Sequence, residues 1–153
     1  MALDSFKVLS IINSMAVIDT DFLITAILNV FPAAEAMYLF GSVTDDTLNN
    51  KSDIDIAVLL PRQTAAEAGS LSFTDVRLLL EDHYQRDVDL INLREVTTVF
   101  TIEIIMKGER IFTGNRQETE LFEMMALSLY QKLNEERKEI VEDFYRTGKA
   151  YNV

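Results

Sequence analysis

A chain of 153 residues with 48% apolar and 25% charged side chains carries enough hydrophobic surface for a real core and reads as neither fibrous nor globally disordered. Its formal net charge of −11 argues against general nucleic-acid binding, which needs a basic surface to displace counterions, and suits a basic protein partner. With no cysteine, disulfides, thiolate metal sites and a cysteine nucleophile are excluded; the single histidine, His83, rules out a poly-histidine zinc site and leaves little room for a Ser-His-Asp triad.

The first residues, MALDSFK, lack the basic region that opens a signal peptide. The apolar stretch over residues 22–40 is interrupted by Asn29, Pro32 and Glu35 and makes a poor membrane span, so a cytoplasmic protein is expected. Residues 4–16 have helical spacing, with Phe6, Leu9 and Ile12 on one face and Asp4 or Ser5 placed to cap the start. A second helix is predicted to begin after Asp19-Thr20-Asp21 and to end at Pro32, because the residue before proline disfavours helix. Residues 36–40 read as a buried strand running into Gly41-Ser42, and residues 53–60 as a second strand stopped by Pro61. A polar loop over residues 61–72 is expected next, then a helix over about 73–85, a strand over 87–93 and a helix over 96–107 ended by Gly108. Arg110 to Phe112 suits a short strand, and residues 117–147 suit one long helix, apolar over a wide arc in its first half and charged through Glu135-Glu136-Arg137-Lys138-Glu139 in its second. With no repeat or linker, the chain is expected to form one domain over residues 1–153. Its class is α+β (α/β), with helices packed on a small mixed sheet.

The chemistry concentrates in residues 38–60, where Gly-Ser is followed by ten residues and then Asp-x-Asp. Asp53 and Asp55 are two apart, so on a strand both carboxylates project from one face while Ile54, Ile56 and Val58 face the core. Two such acids repel unless a divalent cation joins them, and hard oxygen ligands completed by waters and phosphates suit magnesium. Gly41 lets backbone approach a ligand closely, and the Ser42 hydroxyl with nearby N–H groups can hold phosphate oxygens. A third acid, Asp89, sits mid-strand between Val88 and Leu90 and is preferred to Asp87 at the strand start. The set suits in-line attack on a nucleoside triphosphate. Among other residues, His83 suits a surface or capping role, Tyr38 and Phe40 a core strand, and Arg86 and Arg94 exposed strand ends. The methionines, Met124 and Met125 included, suit core gaps, although a Met-rich surface also serves partners.

Gly41, Ser42, Asp53, Asp55 and Asp89 resemble the signature of the nucleotidyltransferase superfamily that includes DNA polymerase β. The stretches YLFGS, SDIDIAVL, DVDLINLREVTTV and ELFEMMALSLYQKLNEER are similar to the minimal nucleotidyltransferase antitoxins of the MntA type, encoded beside HEPN ribonuclease toxins. The resemblance implies a nucleotidyltransferase fold and transfer of AMP from ATP, with magnesium, to a tyrosine of the toxin, with which a stable complex can form. By the same resemblance Gly41 and Ser42 would hold the triphosphate, Asp53 and Asp55 would bind magnesium, and Asp89 would complete the metal site or take the tyrosine proton. Where many relatives carry a basic residue after Gly-Ser, this loop has Val43, Asp45 and Asp46, with Lys51 its only cation.

Overall fold

A computed structural model of the protein describes residues 18–41 and 53–148. The helix expected over residues 4–16, Ser42 and residues 43–52 lie outside the described residues.

Helix α1, Thr20–Val30, starts where the Asp19 carboxylate accepts the Asp21 N–H at 3.1 Å, and it buries Leu23, Ala26 and Ile27 at helical spacing. Four strands follow: β1, Ala36–Phe40; β2, Ile54–Leu59; β3, Val88–Asn92; and β4, Glu109–Thr113. Between β2 and β3 lie α2, Arg62–Ala68, and α3, Asp75–Tyr84; between β3 and β4 lies α4, Thr98–Lys107; and α5, Arg116–Thr147, ends the described chain. The sheet order is β3-β2-β1-β4, with β2 parallel to β3 and β1 antiparallel to both β2 and β4, a mixed sheet as expected.

Alternation along the strands divides the core in two. Ile54, Ile56 and Val58 join Met37, Leu39, Val88 and Leu90 under α1, α2 and α3. Ala36, Tyr38, Phe40, Ala57 and Leu59 face the other way, with Leu93 and Ile104 packed among them and Phe100 and Phe122 partly buried against them. Each fully buried branched side chain contributes about 1.5–3 kcal/mol, so both faces are held by apolar burial.

Three expectations need correction. The segment expected as a loop after Pro61 contains α2; its sequence RQTAAEA is polar but composed largely of good helix formers, and propensity prevails. Arg94, expected at an exposed strand end, is largely enclosed: its Nε donates to the Leu60 carbonyl, its Nη2 pairs with Glu35 at 3.0 Å, and its guanidinium lies 5.2 Å from the centre of the Phe122 ring. The wide apolar arc of α5 is mostly solvent-facing. Only Thr119 and Ala126 of that helix are buried, and Met124 and Met125 are exposed rather than filling core gaps. His83 is exposed as expected and stacks on Phe22 with ring centres 3.6 Å apart.

Glu35 gathers these parts. Its carbonyl accepts from the Gly114 and Asn115 N–H groups at 2.8 and 3.1 Å and from the Thr119 hydroxyl at 3.0 Å, which fixes the start of α5 against β1. Its carboxylate is 8% exposed and depends on Arg94 for its charge partner. Arg94→Ala is therefore expected to destabilise the fold by about 3–5 kcal/mol, because a buried carboxylate is left uncompensated. Urea unfolding of the variant measures this; a loss below about 1 kcal/mol would contradict the assignment.

Candidate active site

The strand register assembles the acids. Phe40 lies opposite Asp55 across β1 and β2, and Asp55 lies opposite Asp89 across β2 and β3, so these three side chains form one row on one face of the sheet. Asp53 immediately precedes β2, and the Ile54 N–H donates to the Asp87 carbonyl at 2.9 Å, tying the entrance of β2 to that of β3. Asp53 and Asp89 are exposed and Asp55 is half-buried. Asp89 was preferred to Asp87 on the ground of burial; in the structure both are exposed, since β3 is an outer strand, and what distinguishes Asp89 is its register with Asp55.

Burial pushes the Asp55 carboxyl up to about 6, with the charges of Asp89 and then Asp53 adding to the shift. A carboxyl whose ionisation burial and two neighbouring acids oppose calls for a cation. Among the described residues no three acids or histidines close into a ready-made cage. An open set of hard carboxylate oxygens nevertheless fits magnesium, which keeps several waters and substrate phosphates in its shell.

Gly41 completes the described part of the site. Its φ is +74°, a conformation L side chains rarely adopt. A Cβ there would lie 3.1 Å from Asp55 Cγ and closer still to Oδ2. Backbone and carboxylate can approach this closely only at glycine. The structure thus brings Gly41, Asp53, Asp55 and Asp89 to one end of the sheet, while Ser42 lies outside the described residues. Phe40, expected in a core strand, is buried there, and Phe100, which the sequence did not single out, meets it edge to face with centres 5.7 Å apart. The available signal was the apolar residue directly before Gly41.

The family described as polymerase beta nucleotidyltransferase matches residues 23–117. The chain is 35% identical over 112 residues to the protein adenylyltransferase MntA of Shewanella oneidensis, covering 73% of this chain and 77% of that protein. A solved toxin–antitoxin structure with AMP-PNP is similar at 31% identity with a TM-score of 0.64, covering 84% of this chain and 99% of that one. So is a structure of the tri-AMPylated Shewanella oneidensis HEPN toxin in complex with an MNT antitoxin, at 30% identity and a TM-score of 0.57, covering 82% of this chain and 94% of that one. With more than half its length matched, this chain belongs to the polymerase β nucleotidyltransferase family.

Proposed function

We propose that this protein is a cytoplasmic antitoxin that transfers AMP from ATP to a tyrosine of a cognate HEPN-family ribonuclease toxin. The observation that carries the reading is the row of Asp55 and Asp89 beside Gly41 and Asp53, in a chain similar to a protein adenylyltransferase. A relative's complex with a tri-AMPylated HEPN toxin supports the partner, and a similar toxin–antitoxin structure with AMP-PNP supports the nucleotide.

In this reading Gly41 and Ser42 hold the triphosphate, Asp53 and Asp55 would hold magnesium, and Asp89 would either complete the metal site or take the phenol proton. The ion, when bound, supplies positive charge against the phosphate oxygens. The tyrosine Oη attacks the α-phosphorus, the bond to the bridging oxygen breaks, and pyrophosphate leaves. An acid of the row, with Asp89 the candidate, accepts the phenol proton if it is not itself a metal ligand. The net charge of −11 suits a hetero-oligomer with a basic toxin and disfavours direct contact with nucleic acid. No helix among the described residues is long and apolar enough to cross a membrane.

A second reading, neutralisation by complex formation alone, draws on α5. It exposes Leu121, Met124, Met125, Leu127, Leu129 and Ile140, and its first half borders a cleft of about 400 Å³ that also includes Leu93 and Val96. Comparing Asp53→Asn with a chain cut before Leu121 in a toxin-neutralisation assay separates the two. The enzyme reading expects the point variant to lose neutralisation. If Asp53→Asn still protects and only the truncation fails, binding is the function.

A further inference from the structure

The row that carries Asp55 and Asp89 also carries an aromatic residue. Phe40 is in register with Asp55, projects from the same face, and is 9% exposed. Over it lies Phe100 in the first turn of α4, with ring planes 81° apart, so that the edge of one ring meets the face of the other. Phe100 packs against the same core cluster as Ile91, which is two residues along β3 from Asp89 and therefore on the same face. Its backbone is held by the Thr97 hydroxyl, which accepts the Phe100 N–H at 3.3 Å. Phe40 is buried, whereas Phe100 keeps part of its surface open to solvent.

We propose that Phe100 is a positioning residue whose open ring surface packs against the planar ring of a substrate, the acceptor phenol or the nucleotide purine, and holds it beside Asp55 and Asp89. The inference rests on the AMP-transfer reading and deepens it. An aromatic ring fixed on a helix can orient a second ring at little entropic cost, and losing one such contact weakens binding about three- to tenfold.

The test is saturation kinetics of AMP transfer with ATP and the HEPN toxin varied in turn, for the wild type, Phe100→Leu and Phe100→Tyr. Phe100→Leu is expected to raise one KM about three- to tenfold with kcat within about twofold, and Phe100→Tyr to restore it. A raised KM for the toxin assigns the phenol; a raised KM for ATP assigns the purine. The proposal is overturned if Phe100→Leu leaves both KM values within about twofold of wild type, or if the loss lies in kcat and melting temperature without rescue by Phe100→Tyr. Wild-type protein that transfers no AMP would overturn the underlying reading, and this proposal with it; wild-type transfer with an unaffected Phe100→Leu would overturn this proposal alone.

Discussion

Asp55→Asn is expected to abolish AMP transfer, with a loss on the order of 10³-fold or more, and at the same time to raise the melting temperature of the ligand-free protein at neutral pH. Both effects come from one geometry. Asp55 is half-buried and faces Asp89 across the β2–β3 pairing, and its carboxyl is pushed up to about 6 by burial and then by Asp89 and Asp53. A carboxyl whose folded value lies above its unfolded value binds its proton more tightly in the native state. Its contribution is fully present below about pH 4 and is lost as pH rises through about 6. At pH 7 the fold carries an ionised Asp55 in an unfavourable place, at a cost of about 1–2 kcal/mol once solvent screening is allowed for. Asparagine removes that charge and keeps the shape. Thermal melts between pH 4 and 8 should show the wild type losing stability across this window and the variant lacking that component. A variant less stable than wild type at pH 7.5, or one retaining full transfer activity, would contradict the assignment. Magnesium should raise the wild-type melting temperature at pH 7.5 by more than that of the variant.

Gly41→Ala is the second large effect. The site glycine combines φ +74° with a Cβ position that collides with Asp55. Gly69 has φ +59° with nothing within 4 Å of an added Cβ, so it carries the backbone penalty without the collision. Gly69→Ala should therefore cost about 1–3 kcal/mol of stability and leave activity intact. Gly41→Ala must displace the Asp55 carboxylate and should lower transfer activity by about 10²-fold or more, since small misplacement of a reacting group is costly. Equal activity losses in the two variants would mean that Gly41 matters only for its backbone conformation.

What could be read in the chain followed the range of the forces involved. β1 and β2 were legible because continuous apolar runs end at Gly41 and Pro61, and the shared face of Asp53 and Asp55 follows from strand periodicity. α1 carried its own cap in Asp19, and α4 its own stop at Gly108. Arg94 was misread because its partners, Glu35 and the Leu60 carbonyl, are 59 and 34 residues away, and no local pattern reports them. The α2 segment was misread because polarity was taken as loop character. Met124 and Met125 on α5 are exposed and do not fill core gaps, because helical spacing shows which residues share a face, not whether anything covers that face. The pairing of Asp89 with Asp55 was anticipated in composition but not in cause, since register rather than burial selects it.

Intact-mass spectrometry of the cognate HEPN-family toxin after incubation with this protein, ATP and magnesium tests the central claim most directly. The toxin is expected to gain whole AMP units with the wild type and none with Asp53→Asn. An unmodified toxin held in a stable, inhibited complex would contradict the enzymatic account and make binding the means of neutralisation.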